Sequence, residues 1–233
     1  MVAFLNAGAT VIAPVRSHGG ERALLEDVEW VFSRSPSNLH IVVVPDYATI
    51  HGMRSLVSVL RERGHKTIHH VVSSFGGPFP KGHLSVLSPE NIHSALDRAI
   101  PHMILTQNMM DLVAADSSKS SFTFISGLLG EKCHMPHCAA LSVANGALYS
   151  IIRAFEAECS EKNKDLRINE IRIGALMKKD GKSDHPFVVG GTAYPSSLIG
   201  KELVQIAAGT IDREILRLSP QDMDCRLREE VSM

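Results

Sequence analysis

SFTFISGLLGEKCHMPHCAALSVANGALYSIIRAFEAECSEKNKDLRINEIRIG, residues 121–174, is the stretch whose pattern decides the fold. It opens on a short apolar run, with Phe122, Phe124 and Ile125, that ends at Ser126 before a glycine, as a buried strand does. Over residues 142–158, Val143, Leu148, Ile151, Ile152 and Phe155 recur at helical spacing, separated by small residues. Residues 167–173 then alternate like a second strand, and Gly174 ends it. Strand, long helix and strand form one right-handed crossover unit of a parallel sheet.

The flanks carry the same alternation. Residues 4–9 read as a helix end closed by Gly8, and residues 10–15 as a strand behind it. A short amphipathic helix is predicted over 21–30, with Leu24, Leu25 and Val28 inward. Residues 40–44 are a buried strand closed by Pro45-Asp46, and a helix follows over 50–63. The next strand, from Ile68, leaves through Ser73-Ser74-Phe75-Gly76-Gly77. Ser88 caps a helix with Pro89 at its first position; it runs towards Asp111 and must kink at Pro101. A flexible lid is expected at 181–191, a helix at 196–208, a strand at 211–218 and a loosely held tail at 219–233. The whole predicts a single domain over 1–233, an α/β three-layer Rossmann-like sandwich around a mostly parallel sheet.

Composition narrows the function classes. With 233 residues at 44% hydrophobic, the chain can bury a full core. Its 24 basic residues balance 25 acidic ones, so no polyanion or nucleic-acid partner is implied. No apolar stretch is long enough for a membrane span, and no secretory signal opens the chain. Cys133, Cys138, Cys159 and Cys225 fit no disulfide framework, so a reduced, cytoplasmic protein is expected.

Within this frame the central stretch resembles the C-terminal half of a short-chain dehydrogenase/reductase (SDR). That family has a strand ending in serine, a helix carrying Tyr-x-x-x-Lys and a strand reading roughly Arg-Val-Asn-x-Val-x-Pro-Gly. Arg167, Ile168, Asn169, Ile171 and Gly174 match the last of these, and Ala144-Asn145-Gly146-Ala147-Leu148 aligns with the family's Ser-Lys-Ala-Ala-Leu. That register sets Leu141 at the tyrosine position and Asn145 at the lysine position. The resemblance also implies that the family's first, central strand and its glycine-rich turn are missing from residues 1–233. Either Met1 is internal to a longer natural protein, or the sheet is rebuilt without its centre.

Several site residues follow from the resemblance. Arg16 stands where a basic residue reads the adenosine 2′-phosphate, which implies NADP; a solvent-facing arginine at a strand end is the alternative. Asp46 stands where an acid supports the adenine, with helix capping as its alternative role. Ser73 and Gly76 stand in the turn that corresponds to the family's Asn-Asn-Ala-Gly, Gly76 permitting positive φ. Without the glycine-rich turn, NADP binding is expected to be weak or absent. Ser126 is the one catalytic group in register, and Ala99 occupies the asparagine position. His137, in the Cys133-His134-Met135-Pro136-His137-Cys138 loop, is a candidate proton donor in place of the tyrosine, or a surface histidine. No second Cys/His cluster exists, so no metal is expected. Tyr149 lies too far along its helix to replace the tyrosine, and Tyr194 belongs to the lid region.

Three readings stay open. The first is an enzyme of NAD(P)-dependent oxidoreductase descent in metabolite biosynthesis, acting on a small apolar metabolite with a degenerate catalytic centre. The second is a redox-inactive isomerase, cyclase or dehydratase of the same fold. The third is a pseudoenzyme that forms a homo- or hetero-oligomer through the long helices near 90–112 and 142–158.

Overall fold

The computed structural model describes residues 1–114, 119–162, 164–180, 193–209 and 211–231. The elements run α1 (Val2–Asn6), β1 (Val11–Val15), α2 (His18–Phe32), β2 (Leu39–Val43), α3 (Ile50–Glu62), β3 (His70–Ser73), α4 (Pro89–Leu96) and α5 (Ile100–Met109). They continue with β4 (Ser121–Gly127), α6 (Ala139–Glu161), β5 (Arg167–Ile173), β6 (Leu176–Lys178), β7 (Ala193–Pro195), α7 (Ser197–Ala208), β8 (Ile215–Leu218) and α8 (Pro220–Val231). The expected 181–191 lid lies outside the described residues.

The central crossover forms as its residues require. Phe122 and Phe124 of β4 are fully buried and stack at 4.9 Å, and Phe155 of α6 meets Phe122 edge-on at 5.2 Å. Such a cluster suits a strand covered on both faces. β4 pairs in parallel with β3 on one side and β5 on the other, and β8 extends the sheet, giving the order β3-β4-β5-β8.

β1 and β2 form a separate parallel pair. Among the described residues no ladder joins β1 to β3, so the two outer strands have not closed up where a central strand would lie. The two sheets nevertheless share one core: Ile12, Val42, Val44 and Met53 pack in the same cluster as Val71, Phe122 and Phe124. Side-chain burial holds together what backbone pairing does not.

Local chemistry moved several boundaries. Ser17 accepts from the Gly20 amide at 3.1 Å and starts α2 three residues before the predicted helix. Ala139 and Ala140, buried and strongly helix-forming, carry α6 a turn upstream. At Pro101 the expected kink is a full break: α4 ends at Leu96 and α5 begins at Ile100 with the proline in its first turn. The C-terminal segment is a helix and not a loose tail. Ser219 and Asp222 cap α8 reciprocally, Met223 is fully buried, and Arg226 pairs with Glu202 at 2.8 Å. The charges of this segment mask the one methionine that anchors it in the second core cluster, beside Ile171 and Leu218.

Asp46 does not cap α3. Thr49 does, accepting from the Gly52 amide at 3.1 Å, while the Asp46 carbonyl accepts from the Thr49 amide and hydroxyl. Thr49→Ala is therefore expected to lower stability by about 1 kcal/mol, against a few tenths for Asp46→Ala. Urea melts of the two variants measure the difference, and the reverse order would refute the assignment.

Candidate functional site

A cavity of about 370 Å³ opens at the carboxyl ends of β3, β4 and β5, where open α/β sheets place their ligands. The exit of β3 contributes Ser74, Phe75 and Gly76, and the end of β4 contributes Ile125, Ser126 and Gly127. The end of β5 and the residues that follow it add Ile173 to Leu176, and α6 contributes Leu141, Ala144, Asn145 and Leu148. Arg98 and Ala99, in the break between α4 and α5, complete the wall with His102 of α5. The lining is mainly apolar with a few polar groups, the usual make-up of a small-molecule site.

Ser126 is buried, and its hydroxyl donates to Glu170 Oε1 at 2.6 Å. Glu170, only 2% exposed, also receives Arg172 Nη2 at 2.7 Å. Arg172 continues to Glu131 at 2.6 Å, and Glu131 to Arg217 at 2.8 Å. Burial raises the Glu131 carboxyl, but the hydrogen bonds and charges of both arginines outweigh it and leave its pKa lowered. Arg172 also stacks over the Tyr149 ring at 3.6 Å, and the Tyr149 hydroxyl donates to the Gly127 carbonyl. Burial pushes that phenol up to about 12, so it stays protonated at neutral pH. The buried Glu170–Arg172 pair, tied to the surface through Glu131 and Arg217, thus fixes Ser126 with its proton directed to Glu170.

Asn145 occupies the lysine position in the aligned register. Its Oδ1 accepts from the Gly127 amide at 3.0 Å, whereas Nδ2 is buried with no partner. Gly127 makes room for that amide, since a Cβ there would stand 2.8 Å from Nδ2.

His102 is 1% exposed. Its Nε2 lies 3.3 Å from the Phe75 carbonyl, which can only accept, so Nε2 carries the proton. Nδ1 then accepts from Ser73 Oγ at 2.7 Å. Burial pushes the imidazole down to about 4, against a smaller upward pull from the Phe75 carbonyl, and it is neutral at physiological pH.

The sequence-predicted residues are therefore dispersed. Ser126 and Gly76 line the cavity, but Gly76 is not in the left-handed region, so positive φ is not its reason. Ser73 is buried behind His102. His137 is exposed and outside the cavity lining; its carbonyl ties the loop to the Gly82 amide. Tyr194 is buried at 4% exposure and donates to Asp224 at 2.8 Å, so it is tied to α8 and away from the cavity. Arg16 is exposed and lies over the Tyr47 ring at 5.6 Å, and Asp46 is exposed. Neither lines the cavity.

These positions bear on a dinucleotide. Its pyrophosphate needs a row of backbone N–H groups at a helix start. Among the described residues no strand fills the space between β1 and β3, where the resemblance would put that cradle.

The reading of the residues missed Glu170, Arg172, His102 and Arg98. Glu170 and Arg172 had a signal: two charges spaced by two in a strand that is buried throughout point to one face and need partners there. Ser126 stands opposite Arg172 in the ladder, which the crossover pattern alone could not specify.

No protein-family model matches the sequence, and no curated protein is significantly similar to it. Solved structures are similar in fold. The enoyl-[acyl-carrier-protein] reductase (NADH) from Aquifex aeolicus VF5 superposes with a TM-score of 0.71 at 21% identity, covering 93% of this chain and 86% of that one. A short chain dehydrogenase from Burkholderia cenocepacia J2315, in complex with NADP, superposes with a TM-score of 0.71 at 13% identity, covering 94% and 90%. With the parallel crossover, the cavity at the strand ends and these neighbours together, the chain has the SDR-like Rossmann fold.

Proposed function

We propose that this protein is of NAD(P)-dependent oxidoreductase descent and takes a small apolar metabolite into the cavity, with a catalytic centre that no longer performs ordinary carbonyl reduction. The observation that carries this is the state of the protons around the cavity. Reduction of a carbonyl needs a proton at the developing alkoxide, and a positioned donor is worth roughly 10²–10⁴-fold in rate. Leu141 stands where the donor belongs. The Ser126 proton goes to Glu170, and the Ser73 proton to His102. What faces a ligand is an apolar wall with the Ser126 oxygen as an acceptor.

The redox-inactive alternative, an isomerase, cyclase or dehydratase, draws on the same arrangement. It needs no hydride donor.

Two measurements test the reading together. Fluorescence titration with NADPH is expected to show no saturation in the micromolar range. Saturation-transfer NMR with 1-octanol, a neutral apolar probe, is expected to show binding that Ala144→Phe abolishes, because Ala144 is buried against the cavity. Micromolar NADPH saturation with turnover of small apolar ketones would restore the ordinary reductase reading.

A further inference from the structure

We propose that the cavity selects a small apolar carboxylate, whose anionic end is paired by Arg98; the inference rests on the apolar-metabolite reading and names its ligand class. Arg98 is half-buried, in the break that Pro101 enforces between α4 and α5, and its side chain lines the cavity. Gly77 lets the guanidinium lie there, because a Cβ at that position would stand 2.4 Å from Nη1. Among the described residues no carboxylate or carbonyl engages that guanidinium. No acidic residue lines the cavity either, since Glu170 is turned to Ser126 and Arg172.

A cation at the wall of an apolar space, left without a counter-charge, favours an anion. The second observation is the Asn145 amide. Asn145 is 8% exposed and belongs to the same cavity lining, and its Nδ2 donor has no partner. That nitrogen is itself closed off, so a ligand acceptor reaches it when the amide turns towards the cavity, and the bond then removes the cost of an unpaired buried donor. The planar fork of a guanidinium matches the two in-plane oxygens of a monoanionic carboxylate; a phosphate dianion would keep an uncompensated charge. The rest of the lining, including Phe75, Leu141 and Leu148, suits an aliphatic or aromatic body.

The test compares octanoate, 1-octanol and octyl phosphate by calorimetry or ligand-observed NMR at neutral pH. Octanoate is expected to bind on the order of tenfold more tightly than 1-octanol, the scale of one added charge-assisted hydrogen bond. Arg98→Gln is expected to erase that difference, with circular dichroism reporting the fold. Gly77→Val, which displaces the guanidinium without removing it, should weaken octanoate in the same direction. Equal binding of octanoate and 1-octanol would overturn the carboxylate inference and leave the apolar cavity standing. Tighter binding of octyl phosphate would overturn the carboxylate in favour of a phosphate. If none of the three binds, the inference and the reading beneath it both fall.

Discussion

Glu170→Ala is expected to lower the unfolding free energy by about 3–5 kcal/mol, the usual penalty for stranding one member of a buried ion pair. The side chain is 3% exposed and serves two partners at once. Its removal leaves the Ser126 hydroxyl without an acceptor and strips Arg172, itself 7% exposed, of its buried counter-charge. Glu131 still holds the other arm of Arg172, which sets the lower end of the range as the better figure. Ser126→Ala removes a neutral donor and should cost less. Replacing both charges, as Glu170→Leu with Arg172→Leu, should recover much of the loss, because neither partner is then left unpaired. Urea denaturation of the three variants measures these losses. A loss below about 1 kcal/mol for Glu170→Ala would mean that the charge chain does not hold the floor of the site.

Acidification from pH 7 to pH 4 is expected to lower stability on the order of 3 kcal/mol through His102 alone. The imidazole titrates at about 4 in the fold, against 6.5 in the unfolded chain. Between these values the unfolded state binds the extra proton and the native state does not, so stability falls as pH falls. The contribution is fully present above the unfolded value and lost as pH descends towards the folded one. Burial is the main cause, and protonation would also force Nδ1 to give up its bond from Ser73. His102→Gln has no titrating group, so its melting temperature should vary less over the same window. Glu131 adds loss in the same direction at more acidic pH, because its folded carboxyl pKa is lowered. The difference between wild type and His102→Gln isolates the histidine. Parallel pH profiles for the two proteins would rule out His102 as the source.

The parallel crossover was legible in residues 121–174 because it rests on local repetition. Period two and period 3.6 are written in the order of apolar residues, and a strand buried on both faces announces itself by bulk. Leu141 and Asn145 were singled out by the resemblance, which lays the family's Tyr-x-x-x-Lys along this helix, and both line the cavity. The gap in the sheet was implied by the resemblance and not by the alternation, and the ladders keep β1 and β3 apart.

The state of the site was decided by tertiary structure alone. Ser126 is an acceptor towards the cavity only because β5 sets Glu170 beside it, 44 residues away in sequence. His102 is neutral only because α5 buries it against Ser73 and Phe75. Arg98 reaches the cavity because a proline broke a helix and Gly77 left space for its guanidinium. His137 had the right chemistry in a loop that faces solvent, and Met223 anchored a segment whose charges resembled a tail. Residue type and spacing determine which elements form. Where a proton resides depends on burial and on partners brought together from distant segments, and those arise only when the chain is packed.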